Sequence, residues 1–190
     1  MKKIAEAVGL IACLLYLAVL SCAAQTSPDR SSPQSQVFKV LSKAAFILRQ
    51  KTAVPPRLPT HIAGLDQATE SDLYAIIEYA DEMGYSVILG GEPDCKGQHQ
   101  CSYGTLIGTT RPLSEIDVYD VVDRRETLVM LANGLKGHFY DSDCGSYCSD
   151  SLVVWSEGKY HYIIGLKAGS KSDLIRVANS AIRAGIERWK

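Results

Sequence analysis

The first 22 residues constrain this chain more than any other stretch, because they decide the redox conditions under which the rest folds. Lys2 and Lys3 open the sequence with positive charge, and an uncharged apolar run of 14 residues follows from Ala7 to Leu20. The run closes on Val19-Leu20-Ser21-Cys22, a small residue with a cysteine directly after it. A basic start, an apolar centre and a small residue at the cut make a secretory signal. A bilayer-spanning helix needs about 20 apolar residues, so the run reads as a signal ahead of a retained anchor helix.

Val19-Leu20-Ser21-Cys22 resembles the lipobox of bacterial lipoproteins, in which the cysteine is lipidated and becomes the mature N-terminus. Leu10-Ile11-Ala12-Cys13 fits the same pattern but leaves an apolar region interrupted by Glu6 and too short for export, so Cys22 is the expected lipidation site. Each acyl chain, such as palmitate, contributes about 0.8 kcal/mol per buried CH₂, and several together anchor stably. Ala23 stands where an inner-membrane retention signal would carry Asp. The resemblance therefore implies an envelope protein, anchored in the outer membrane and facing the periplasm. Residues 1–21 are expected to be a signal peptide and 22–36 a flexible tether, since Gln25 to Gln36 holds no residue able to join a core.

Residues 37–190 then form one domain, long enough for a proper core. Without residues 1–21, which hold two Lys and one Glu, the 20 basic and 21 acidic residues become 18 and 20, a net charge of −2. That balance, with no basic stripe, excludes nucleic acid as a partner. Four cysteines follow the leader as two close pairs, Cys95 with Cys101 and Cys144 with Cys148. In an oxidising compartment such pairs read as local disulfides, each worth about 2 kcal/mol and best suited to pinning irregular loops. The rival is a zinc site using His99. Its gaps of five and three residues depart from the usual two-to-four-residue gap repeated twice, so no metal and no cofactor are expected.

Hydrophobic period places the elements. Val37, Val40, Leu41, Ala44, Ala45 and Leu48 share one face of a helix over 36–51, with Lys39, Lys43 and Arg49 off it. Pro55, Pro56 and Pro59 then force an extended strap whose Val54, Leu58 and Ile62 dock on the core. Residues 73–80 suit a helix or a strand. The β-rich Tyr85 to Leu89 favours a hairpin turning at 81–84, and Gly90 to Asp94 breaks the second strand. Tyr103 to Thr109 reads as a third strand, and a short helix is expected around 116–122. Asn133-Gly134 between apolar runs predicts a hairpin of 127–131 with 135–140, because both residues tolerate positive φ. A further hairpin joins 152–155 to 160–166. Ser170 or Ser172 caps a last helix reaching about Arg188, which buries Leu174, Val177, Ala178, Ala181, Ile182 and Ile186. The fold class is α+β: an antiparallel sheet of about six to seven strands, with the N-terminal and C-terminal helices packed on one face.

Trp155-x-x-Gly158-x-Tyr160-x-Tyr162 with Ser170 to Ile182 resembles the end of a bacterial domain of unknown function found in membrane-anchored and anti-sigma-like proteins. The cysteine pairs, with Gly104 and Asn133-Gly134-x2-Gly137-x-Phe139, are similar to uncharacterised exported lipoproteins. The likeness spans roughly 54–186. It implies an exported α+β module and assigns no activity.

Catalytic chemistry leaves little trace. No Gly-x-Ser-x-Gly elbow and no phosphate-cradling Gly-x4-Gly-Lys-Ser/Thr loop is present. Of His61, His99, His138 and His161, the last two fall on neighbouring predicted hairpins, where facing carboxylates would make a base. Asp141-x-Asp143-x-Gly145 matches the opening of a calcium loop, but Leu152 stands at the twelfth position where the bidentate Glu belongs. Tyrosine covers sheets and binds partners equally well. Tyr140 and Tyr147, with Asp141 and Asp143, border the second cysteine loop and are the expected contacts. The chain thus reads as a non-enzymatic, lipid-anchored protein that binds an envelope protein or small ligand through disulfide-pinned loops. The alternatives are an envelope-polymer hydrolase, which needs His138 or His161 beside a carboxylate in a pocket, and a hydrophobic-ligand carrier, which needs an enclosed apolar cavity.

Overall fold

A computed structural model describes residues 33–65, 71–116, 125–142 and 149–185. The expected signal peptide, the lipidation site Cys22 and the tether up to residue 32 lie outside them. So do Ile186, the second cysteine pair Cys144 and Cys148, and the contact candidates Asp143 and Tyr147.

Helix α1 (Pro33–Lys51) opens on a proline, whose preset φ suits a first helical position and whose missing N–H costs nothing there. It therefore takes in residues 33–36, which the sequence assigns to the tether. Val37, Leu41, Ala44, Ala45 and Leu48 form its buried stripe, and Arg49 and Lys51 offset the dipole at its C-terminus. The proline strap follows as predicted, burying Val54, Leu58 and Ile62.

Seven antiparallel strands make one sheet: β1 (Tyr74–Asp81), β2 (Gly84–Gly90), β3 (Ser102–Thr109), β4 (Glu126–Met130), β5 (Lys136–Tyr140), β6 (Asp150–Glu157) and β7 (Tyr160–Lys167), in the order β1-β2-β3-β7-β6-β5-β4. The ambiguous 73–80 segment is a strand. Its turn is tighter than the sequence suggests, because Asp81 Oδ1 accepts from Met83 N at 2.8 Å and Gly84 N at 2.9 Å, leaving two residues between the strands. Asn133 and Gly134 take φ of +57° and +72°, as their identities predict. A 3₁₀ turn over Leu113–Glu115 stands just ahead of the helix expected around 116–122, of which residues 117–122 lie outside the described residues.

Helix α2 (Lys171–Ala184) is capped by Ser170, whose side chain accepts from Asp173 N. It ends at Gly185, with φ of +53°, and not near Arg188: a left-handed glycine releases the chain there. Both helices pack on one face of the sheet, against Tyr85, Val87, Leu106, Phe139, Trp155 and Tyr162 among others. The second face is covered too. Ile107, Leu152, Val154 and Ile163 cluster with Leu113 and Ile116, and Ile88 lies under the first cysteine loop. Apolar cover on both sides explains why β2 is buried along its whole length.

Candidate functional site

Cys95 and Cys101 form a disulfide with Cα atoms 5.7 Å apart. Both are buried against Ile88 and Ile76, so the bridge is a small core of its own. Backbone bonds finish the loop: Gly91 N to Cys101 O at 2.8 Å and Ser102 N to Gln98 O at 2.9 Å. The pairing consumes the thiolates that a zinc site beside His99 would need. Among the described residues no cluster of three or more His, Cys, Asp or Glu is placed to hold a metal.

Pro93, in this loop, forms one wall of an open groove of about 460 Å³ between α1 and β1. From the helix come Gln36, Val40, Lys43, Ala44 and Ile47, a stripe at i, i+4, i+7, i+8 and i+11 beside the core-facing one. From the strand side come Ser71 and Leu73 to Ile77. Ile47 is 40% exposed and Tyr74 41% exposed. Val40, which the sequence places on the core face, turns out half-buried at the groove wall. Lys43 supplies the one charged side chain among the lining residues.

A second cleft, of about 310 Å³, lies on the opposite face between Glu78, Tyr79, Ser86, Arg111 and Ile116. Its polar groups already hold one another. Ser86 Oγ, buried, donates to Glu78 Oε2 at 3.0 Å, and Arg111 Nη2 donates to Asp81 Oδ2 at 2.7 Å while lying over the Tyr79 ring. Both clefts are open, and neither is the enclosed apolar chamber that the carrier reading requires.

A half-buried network ties the strap to the sheet. Arg57 donates two bonds to Glu157, at 2.9 Å and 2.6 Å, and Trp155 Nε1 donates to the same carboxylate at 3.1 Å. Burial alone would raise the Glu157 carboxyl. The bonds from Arg57 and Trp155 outweigh it and hold the group below the usual carboxylate range. The same hydrogen bond pushes Arg57 further up. Tyr162 Oη donates to Pro55 O at 3.1 Å and Tyr85 Oη accepts from Arg57 N at 2.9 Å, with burial raising both phenols well above their ordinary range. Every partner here is internal, so the network is a clamp.

The histidines divide the parts of a catalytic triad between them. Ser156 Oγ lies 2.8 Å from His161 Nδ1 on the β6–β7 hairpin, and His138 Nδ1 is bonded to Glu126 across β4 and β5. A triad needs nucleophile and acid on the same imidazole. Here one ring holds the serine and the other the carboxylate, and neither pair lines either cleft. The hydrolase reading thus gains a His–carboxylate contact, which lies outside both clefts described above. His61 lies elsewhere, its pKa lowered by burial and by Arg176.

The contacts expected at the second cysteine loop are only partly described. Asp141 is exposed and accepts from Ser142 N. Tyr140 is buried against Leu152 and Ile163, a correction to the expectation of an exposed ring: it sits on a strand position facing the second cluster. Among the described residues the exposed tyrosine is Tyr74, in the groove. Sequence reasoning missed the groove, although Val40 and Ile47, lying just off the core stripe of α1, were its signal.

No helix among the described residues is long and apolar enough to cross a membrane. Comparison with protein families, with curated proteins and with solved structures finds no match to this chain.

Proposed function

We propose that this chain is a non-enzymatic binding protein of the bacterial envelope, tethered by lipid at Cys22 and binding its partner in the groove between α1 and β1. One observation carries the choice of surface: the groove is the larger of the two clefts described above and combines exposed apolar side chains with a wall at Pro93, two residues before the disulfide-bonded Cys95. Pinning matters because a loop already held in place loses little further entropy when a ligand binds. The leader supports the address, and the oxidised Cys95–Cys101 pair is consistent with an exported domain.

Two measurements test this reading. Labelling cells with a palmitate analogue should mark the wild-type chain and the Cys13→Ser variant but not Cys22→Ser; a labelled Cys22→Ser chain would overturn the anchor. A photoreactive residue in place of Ile47 should crosslink to envelope material far more than one in place of Met130, which is 60% exposed but lies outside the groove. Equal labelling at both positions would remove the groove as the site.

A further inference from the structure

The groove has a property that a plain apolar cleft lacks: one of its walls is a strand edge that no described residue pairs. The phase of the ladder shows which groups are free. Thr110 N donates to Met83 O at 2.8 Å, so in alternation Tyr85, Val87 and Leu89 bond β3, while Gly84, Ser86, Ile88 and Gly90 bond β1. Tyr74 and Ile76, opposite Gly90 and Ile88, therefore spend their backbone groups inward. The N–H and C=O of Ala75 and Ile77 point outward, and no described residue pairs with them. These same two residues line the groove together with Val40, Ala44 and Ile47, and both pack against the core.

The two walls run for comparable lengths: Leu73 to Ile77 spans about 13 Å, and α1 from Gln36 to Ile47 rises about 17 Å. A register shift between Ile77 and Tyr79 ends the regular edge there. Among the described residues that line the groove, Lys43 is the charged one, and no ion pair to it is formed by a described residue.

We propose that the outer edge of β1 binds an extended peptide segment of a partner protein by strand addition, with apolar side chains alternating into the groove and a carboxylate set against Lys43. This deepens the reading of the groove as the binding site and rests on it. Backbone bonds to Ala75 and Ile77 supply affinity, and the groove and Lys43 supply selection. A second copy of this chain is the poorer occupant. Pairing β1 with β1 about a two-fold axis normal to the sheet would bring Lys43 of both copies to the same face of one seam, where like charges repel.

The test uses the full-length chain and a fluorescein-labelled heptapeptide of alternating valine and threonine ending in aspartate. Saturable binding is expected, with the amides of Ala75 and Ile77 becoming protected from hydrogen exchange. Lys43→Glu should weaken this peptide about tenfold, while changing the binding of its asparagine counterpart by less than about twofold. N-methylation of alternate peptide residues should abolish binding in one phase and spare it in the other; this probes the protein unaltered, whatever Ala75→Pro does to folding. No saturable binding, or protection appearing at Leu128 and Met130 instead, overturns the proposal. Binding that survives both N-methylated phases yet is lost in Ile47→Asp overturns strand addition while leaving the groove as the site. Binding indifferent to Ile47→Asp overturns both. A dimer in sedimentation that Ala75→Pro disperses gives the edge to a second copy and overturns the peptide assignment.

Discussion

The sheet ends in two edges, β1 and β4, that no described strand pairs and that are built differently. At one, β1 runs eight residues, carries a register shift, lies beside α1 and is backed by the Cys95–Cys101 loop. At the other, β4 runs five residues and stops at the Ala132–Gly134 turn. Leu131 N donates to Leu135 O, so by alternation Glu126, Leu128 and Met130 turn their backbone groups outward. Leu128 and Met130 are 59% and 60% exposed and line neither cleft. Both edges offer hydrogen bonds. Only β1 adds a helix that turns the edge into a groove, whereas β4 is protected from edge-to-edge pairing chiefly by being short and by the Glu126–His138 pair beside it. An edge becomes a site when something beside it selects what may pair.

Four experiments probe how far the two edges differ. Leu41→Ala should act most strongly, removing a fully buried anchor of α1 and costing about 2–5 kcal/mol in a chemical denaturation series. A loss below about 1 kcal/mol would mean that α1 is not locked over β1, and the groove would lose its fixed wall.

Arg57→Met comes next, at about 2 kcal/mol, because it strands a half-buried carboxylate behind the strap that leaves α1. The pair also sets an acid limit. The folded Glu157 carboxyl sits below its unfolded value, so its contribution is complete above about pH 4.3 and fades as pH falls through the folded value. Glu157→Gln should flatten that acid limb of a stability-against-pH curve, and an unchanged slope would sink the clamp.

Replacing Cys95 and Cys101 together by alanine should cost about 2 kcal/mol and speed hydrogen exchange over 91–101. Exchange in β4 and β5 should stay as it was. If loosening spread equally to β4, the two flanks would not be independent. Smallest of all, Leu128→Thr should shift stability by no more than about 0.5 kcal/mol, since the side chain is mostly in water already. A larger loss would show the β4 edge to be covered in solution.

The sheet was largely readable in advance because its signals are local. Alternation marked the strands, Asn133-Gly134 marked a hairpin through the positive φ it tolerates, and the Cys95–Cys101 spacing implied a closed loop. Errors clustered where a neighbour decides. Tyr140 read as a loop-side contact because nothing in its surroundings along the chain reveals that Leu152 and Ile163 cover it. Val40 read as core because a helical wheel cannot tell the stripe that meets the sheet from the stripe that overhangs its edge. The last helix read too long because Gly185 lies among good helix formers, and only its left-handed backbone shows that the helix stops there.

Local signals along the chain fixed the inventory: the α+β class, the element order, the strap and the Cys95–Cys101 pair. These depend on period, spacing and turn chemistry, all of which act within a few residues. Which strand lies at the edge, which backbone groups stay unpaired and what stands beside them were decided only by the tertiary structure. Pairing in the order β1-β2-β3-β7-β6-β5-β4 joins residues scores of positions apart, and short-range preferences hold no record of that closure.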